Sequence, residues 1–199
     1  KKIDMYKQQV ERETVKEEFT DIEDYLASLE LKITIYQDDK TIIPRISQLS
    51  QKTNQFNLTT KRYTEGDIKS FIEKDVSKVI AFSVSDKFGD SGITGLCIIN
   101  FHDETQSAII DTFLMSCRII GRNIEYAFID YIIKIIKEKK VNLVKASYIQ
   151  TPKNEQVKEF FEKCSFVLTE STDSVRNYIL DIDNYKPRQL DFIEVINGK

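Results

Sequence analysis

Apolar residues along this chain recur with two periods, and the switches between them mark out its elements. Ile124, Ala127, Phe128, Tyr131, Ile132, Ile135 and Ile136 fall at i, i+3, i+4, i+7, i+8, i+11 and i+12. That spacing is one face of an α-helix running from Ile124 to about Lys139. Ile129 and Ile133 lie off that face, so the helix is expected to be covered on more than one side. Ile109–Met115 before it reads as a strand, and residues 116–123 as a short turn. Upstream, Leu31–Tyr36 alternates apolar and polar residues and is β-branched, a strand closed by an Asp38–Asp39 turn. Pro44 suits the first turn of a helix that carries Ile46 and Leu49 inward. Thr64 caps a helix showing Ile68, Phe71 and Ile72. Lys78–Ser85 and Ile93–Phe101 read as strands around a turn-rich loop, Asp86–Gly92, and residues 102–106 as a hairpin turn.

After the long helix come a strand (Leu143–Ile149) and a helix capped near Asn154 that buries Val157, Phe160, Phe161 and Cys164. Closing strands follow near Phe166–Glu170 and Arg176–Ile182. Pro187 ends regular structure, and residues 186–199 read as a C-terminal tail or a short extra element. At the other end, Thr20-x-x-Glu23 has the form of a capping box, and Val15, Phe19, Ile22, Leu26 and Leu29 keep a 4-3-4-3 spacing. Residues 1–30 therefore read as a helical linker leading in from an upstream domain, and residues 31–185 as the domain itself. The order of strand, two helices, three strands, helix, strand, helix and two strands predicts an α/β (α+β) fold. Its sheet is mixed and mostly antiparallel, with helices on both faces.

Composition narrows the class. The chain has 199 residues, 41% hydrophobic and 31% charged, enough for one large or two small domains. A formal net charge of −3 supplies no basic field, which weighs against nucleic acid. No apolar run approaches the ~18 residues of a membrane span, and the charged N-terminus is not a signal peptide. Cys97, Cys117 and Cys164 are widely spaced and form no Cys-x-x-Cys pair. Neither a zinc site nor a disulfide framework is expected from them, and reduced thiols in the cytoplasm are the simplest reading. No metal is expected on this chain.

Two stretches carry candidate chemistry. The turn Arg118-x-x-Gly121-Arg122-Asn123 feeds a helix start, where free backbone N–H groups and the helix dipole favour an anion. With Arg118 and Arg122 beside it, a phosphate or pyrophosphate fits. Cys117 precedes this turn, and a thiol near a helix N-terminus and cations is a candidate nucleophile. The only histidine, His102, does not serve as its base. In a hairpin turning near Glu104 it lies roughly ten residues from Cys117 along the strand, on the order of 30 Å at ~3.3 Å per residue. A carboxylate, Asp86 or Asp111, is the other route to thiol activation. Cys97 and Cys164 sit on apolar faces and read as packing residues. The second stretch, Lys52–Tyr63, is dense in amides and hydroxyls. Asn54, Gln55, Asn57 and Arg62 are its candidates for holding acyl hydroxyls or a phosphate, with Asp86 as a further substrate-binding candidate.

The element order, with Arg118-x-x-Gly121-x-Asn123 after the fourth main strand, resembles the GNAT acyltransferase fold. GNAT domains use an Arg/Gln-x-x-Gly-x-Gly/Ala turn to hold the pyrophosphate of coenzyme A. Asn123 departs from the final small residue. A narrower resemblance lies in residues 46–63, which contain Lys52-Thr53-Asn54-Gln55-Phe56-Asn57, in residues 84–92, which contain Ser85-Asp86-Lys87-Phe88-Gly89-Asp90-Ser91-Gly92, and in residues 111–125, which contain Ser116-Cys117-Arg118-x-x-Gly121-Arg122. These runs are similar to the C-terminal, GNAT-like half of the FkbH-like proteins, which join a HAD-type phosphatase domain to a GNAT-like domain. The resemblance implies transfer of a glyceryl unit from 1,3-bisphosphoglycerate, with loss of phosphate, to the phosphopantetheine thiol of an acyl carrier protein, often in polyketide pathways. It also implies an upstream HAD-type domain as partner. The phosphatase half needs an Asp-x-Asp nucleophile after a buried strand. Asp181-Ile182-Asp183 ends a late strand, so dephosphorylation is not expected here. Three readings follow: covalent acyl transfer through Cys117, amine acetylation from acyl-CoA as in an ordinary GNAT enzyme, and a non-catalytic module that docks the carrier protein.

Overall fold

The computed structural model describes residues 2–198, and among them nine strands form one sheet. The chain opens with α1 (Lys2–Lys16) and α2 (Ile22–Ser28). The two are separate helices. The cap of α2 is Asp21, whose carboxylate accepts the Glu23 N–H at 2.7 Å, in place of the Thr20 box expected. Next come β1 (Leu31–Gln37), α3 (Ile43–Lys52), the two-residue β2 (Phe56–Asn57) and α4 (Glu65–Ile72). Pro44 stands in the first turn of α3. Thr64 and Asp67 close a full capping box on α4. The meander β3 (Ser77–Asp86), β4 (Gly89–His102) and β5 (Ser107–Met115) leads into α5 (Ile124–Glu138). Then follow β6 (Leu143–Ile149), α6 (Phe160–Lys163), β7 (Val167–Ser171), β8 (Val175–Asp181) and β9 (Ile193–Asn197).

The strand order is β7-β8-β6-β5-β4-β3-β1-β9, with β2 paired to β5. Only β5–β6 and β1–β9 run parallel. Period-two alternation sorts the side chains between two cores. Ile33, Ile35, Ile80, Phe82, Val84, Cys97 and Ile99 face one core, which α2, α5 and α6 complete. Val79, Ala81, Leu96 and Ile98 face the other, under α3 and α4. Ile129 and Ile133 are buried beside the main stripe of α5, as two-sided covering requires.

Four local expectations are corrected. The Asp86–Gly92 loop is a tight hairpin, because Asp86 already pairs with Gly89. The helix after Asn154 is broken into a 3-10 turn (Glu155–Val157) and the single-turn α6, although the expected apolar face is buried. Asn154 is not its side-chain cap. Its fully buried amide donates to the carbonyls of Asn57 and Ile149, both at 2.9 Å, and accepts from Thr151 N–H at 2.8 Å. Regular structure does not end at Pro187: residues 186–199 hold the short extra element weighed against a tail, β9, which extends the sheet alongside β1.

The feature that matters most for function is where parallel pairing fails. Strands β5 and β6 are bonded only from Ser107–Leu143 to Ile110–Ala146, after which they part. At that point Asp111 is an extra residue in β5, since Ile98 faces Thr112 while Ile99 faces Ile110. Such a bulge bends its strand and locally ends regular pairing. The chain fills the opening with its own residues. Phe56 and Asn57 pair with Met115 and Leu114, Leu58 N–H donates to Phe113 O at 3.1 Å, and Ile149 N–H donates to Leu58 O at 2.8 Å.

Candidate functional site

The site forms where β5 ends. Ser116 N–H still donates to Thr94 O at 2.7 Å, and then the chain turns through a 3-10 turn, Cys117–Ile119. Ile119 is fully buried and anchors the turn, which leaves Cys117 and Arg118 exposed. Gly121 (φ 85°) and Asn123 (φ 58°) then take left-handed backbone to bring the chain into α5. Glycine is favoured at the first for that reason. Asn123 occupies the cap position without a side-chain capping bond, and its carbonyl accepts the Tyr126 N–H at 3.2 Å. Six residues, 118–123, lie between Cys117 and the first residue of α5. The effect of a helix dipole falls off within its first turn.

Arg122 and Asp86, read from the sequence as ligand-binding residues, bind each other and Arg12. The Asp86 side chain is 1% exposed and accepts two bonds from the Arg12 guanidinium, at 2.7 and 2.8 Å. It also accepts from Arg122 at 3.3 Å and from the N–H groups of Phe88 and Gly89. Arg122 in turn donates to Arg118 O at 3.1 Å. Burial and the charge of Arg12 hold the Arg122 guanidinium below its ordinary range. A buried carboxylate held by two guanidiniums and two backbone donors thus ties α1, the β3–β4 hairpin and the thiol turn together. Residues 1–30, expected to be a linker, contribute a wall of the site.

The amide-rich stretch divides in two. Asn57 is fully buried; its amide donates to Thr53 O at 3.1 Å and accepts Thr60 N–H at 2.9 Å. Arg62 donates to Ser50 O, Thr53 O and the Asn54 side chain. Both shape the loop and are not free for substrate. Asp111 holds the same loop on the sheet, accepting from Lys61 Nζ and from the Tyr63 hydroxyl, each at 2.6 Å. Burial and that carboxylate push the Tyr63 phenol up. Asn54 and Gln55 instead line a cleft of about 730 Å³ that also holds Cys117.

That cleft carries four cations, Arg45, Lys52, Arg118 and Lys153, and no carboxylate among its lining residues. Arg45 is half-buried, its guanidinium donating to Ile93 O at 3.0 and 3.2 Å. Burial first, and then the like charge of Arg118, lower it from its ordinary range. Two guanidiniums converging on one space favour an anion between them. Cys117 and Arg118 also border a second cleft, about 300 Å³, roofed by α1 and closed below by Ile120–Arg122. Arg118 reaches across to it, donating to Met5 Sδ at 3.3 Å. Arg45, Lys153 and the α1 residues escaped sequence reasoning, because no local period distinguishes a cation in a cleft from one in solvent.

The other two cysteines are packing residues. Cys97 is fully buried and burial raises its thiol; Cys164 is pushed up to about 12, chiefly by burial. His102 is exposed at the β4–β5 turn. Among the described residues no three of His, Cys, Asp and Glu gather to hold a metal ion, and no helix is long and apolar enough to cross a membrane.

No family model and no curated protein matches the sequence. Solved structures do. The ribosomal-protein-S18-alanine N-acetyltransferase of Escherichia coli superposes with a TM-score of 0.57 at 13% identity, over 75% of this chain and 94% of that one. A putative acetyltransferase of the GNAT family from Desulfovibrio desulfuricans gives 0.56 at 9% identity, over 75% and 99%. Ard1 from Thermoplasma volcanium gives 0.58 at 17%, over 75% and 97%. At such identities the likeness is one of architecture, and in that sense this chain has the GNAT fold.

Proposed function

We propose that this chain is an acyltransferase working through a covalent thioester on Cys117, with a phosphorylated acyl donor and the thiol of a carrier-bound phosphopantetheine as acceptor. The observation that carries this reading is one exposed thiol on the border of a cleft lined by four cations and no carboxylate. The FkbH-like resemblance of residues 46–63, 84–92 and 111–125 supports the donor's identity as 1,3-bisphosphoglycerate and the acyl unit as glyceryl. The Cys117 thiolate attacks the carbonyl carbon of the acyl phosphate. A C–S bond forms, the C–O bond to phosphate breaks, and phosphate leaves with the electron pair. Arg45, Lys52, Arg118 and Lys153 hold the charge that develops on it. The acceptor thiol then takes the acyl group by thioester exchange, a nearly balanced step that needs mainly the positioning of two sulfurs.

The reading of an ordinary amine acetyltransferase draws on the fold. It is weakened by β2, which occupies the opening between β5 and β6 where an extended ligand would pair with the main chain. The test is intact mass after incubation with 1,3-bisphosphoglycerate, wild type beside Cys117→Ala. An adduct on wild type that vanishes in the variant is the expected result. An adduct that persists in the variant removes Cys117 from the chemistry. An unmodified wild type favours the docking module, and acetylated product from both proteins in a parallel incubation with acetyl-CoA and an amine favours the acyl-CoA reading.

A further inference from the structure

The two clefts that meet at Cys117 differ in charge and in size, and this difference assigns them separate tasks. In the larger one the cations face no carboxylate. In the smaller one four cations, Arg12, Lys16, Arg118 and Arg122, are offset by two carboxylates: Arg12 and Arg122 are spent on Asp86, and Glu13 adds a negative charge to the lining. Beside Cys117, Ser91 and Gly121, its uncharged lining is amide, thioether, phenol and aliphatic: Gln8, Gln9, Met5, Tyr25 and Ile120. A dianionic phosphate belongs in the first environment, where charge-assisted bonds are strong. A narrow chain with amides along it belongs in the second, whose charge is partly offset and whose 300 Å³ is less than half the 730 Å³ of its neighbour.

We infer that Cys117 stands between two compartments used in turn: a donor compartment lined by Arg45, Lys52 and Lys153, and an acceptor compartment roofed by α1 that takes a pantetheine arm. This rests on the covalent reading above. It adds that α1 is a substrate-binding element, and that Gln8 and Gln9 are hydrogen-bonding partners for the amides of the arm. After the donor has acylated Cys117 and phosphate has left the first compartment, the arm's thiol loses its proton to solvent. Its thiolate then attacks the same carbonyl carbon from the second compartment. A new C–S bond forms, the bond to Cys117 breaks, and Cys117 leaves as thiolate. No redox partner is needed. Separate compartments let the acyl group stay on Cys117 while phosphate leaves and the arm enters, without either ligand displacing the other. Arg118, which borders both, is the one cation shared by the two steps.

The half-reactions are measured apart by single-turnover intact mass. Loading is followed with 1,3-bisphosphoglycerate, and off-loading by adding pantetheine 4′-phosphate to the loaded protein. The variants are Lys153→Gln and Gln9→Trp, both at exposed positions, with circular dichroism as the check on folding. Lys153→Gln is expected to slow loading about tenfold more than off-loading, the size of one charge-assisted hydrogen bond. Gln9→Trp, which fills the smaller cleft, should show the reverse bias by a similar factor. Gln9→Trp off-loading at the wild-type rate, or both variants slowing the same half-reaction, overturns the two-compartment assignment while leaving the covalent mechanism standing. Failure of wild type to load at all sinks the covalent reading, and this inference with it.

Discussion

Replacing Arg12 by methionine keeps most of the side-chain volume and removes the guanidinium that holds Asp86. The Asp86 carboxylate stays buried, with its side chain 1% exposed, and retains Arg122 at 3.3 Å and two backbone N–H groups. Removing one partner from a buried pair costs about 3–5 kcal/mol when the other charge is left uncompensated. Because Arg122 still compensates in part, the lower end is expected, about 3 kcal/mol. For a chain of this length that corresponds to a fall in Tm of roughly 6–12 °C. Asp86→Asn should cost a similar amount, and the double variant clearly less than the sum, because each change removes what makes the other harmful. Urea unfolding followed by circular dichroism gives all four corners of the cycle. Hydrogen exchange at residues 117–122 should rise in Arg12→Met, since Arg122 carries the tie onward to the Arg118 carbonyl. A loss below about 1 kcal/mol, or strict additivity with Asp86→Asn, would refute the view that this cluster joins α1 to the thiol turn.

Alkylation of the native protein with iodoacetamide should add one group, at Cys117, and none in Cys117→Ala. Cys97 and Cys164 should react only in urea, since burial both covers their sulfurs and raises their thiols. Mass spectrometry of labelled peptides decides it, and early labelling of Cys164 would contradict the packing. Glu125, in the first turn of α5, has a buried carboxylate oxygen without a partner, and burial raises its carboxyl above the ordinary value of 4.5. A raised carboxyl means that the folded state binds the proton more tightly than the unfolded one. Its stabilising share is therefore full below 4.5 and declines as pH climbs through the raised folded value. Glu125→Gln should accordingly stabilise by about 1 kcal/mol at pH 7 and by less at pH 4, read by urea unfolding at both. Equal effects at the two values would remove desolvation as the cause. At Gly95 a Cβ atom would lie 1.8 Å from the ring of Phe82, which is itself fully buried and packed edge-on to Phe128. Gly95→Ala should therefore destabilise by about 1–3 kcal/mol through overpacking, measured by thermal unfolding. A neutral result would mean that this part of the sheet yields readily.

The elements were legible because each is a local repeat. The α5 stripe, the alternation of Leu31 to Tyr36, Pro44 at a helix start and the Thr64 cap are settled by residues within a few positions of one another. The order of those elements then left few sheets to choose among. The site was legible only in part. Cys117, Arg118, Asn54 and Gln55 line the larger cleft, and Gly121 closes the smaller one. Asn57, Asp86 and Arg122 are drawn inward, and Arg62, though exposed, is spent on the loop's own oxygens. Nothing local separates the two groups, since an Asn that holds its own loop and one that faces a ligand have the same sequence signature. Breaks in regularity were also hidden. The bulge at Asp111 and the split of the helix after Asn154 depend on partners up to 97 residues away, as in the bond from Asn154 to Asn57 O.

By itself, then, the sequence determined the helices, the main strands and the thiol-bearing turn, because period, caps and turn residues act over one or two turns of chain. Tertiary structure alone decided that β2 fills the opening between β5 and β6, that the last strand lies parallel to the first, and that Arg12 meets Asp86 across 74 positions. It also decided which cations share a cleft. A charged side chain on a helix or loop carries the same local propensity whether water or another chain segment faces it. Only packing, which brings Arg45, Lys52, Arg118 and Lys153 around one space, gathers separate surface charges into one positively lined cleft.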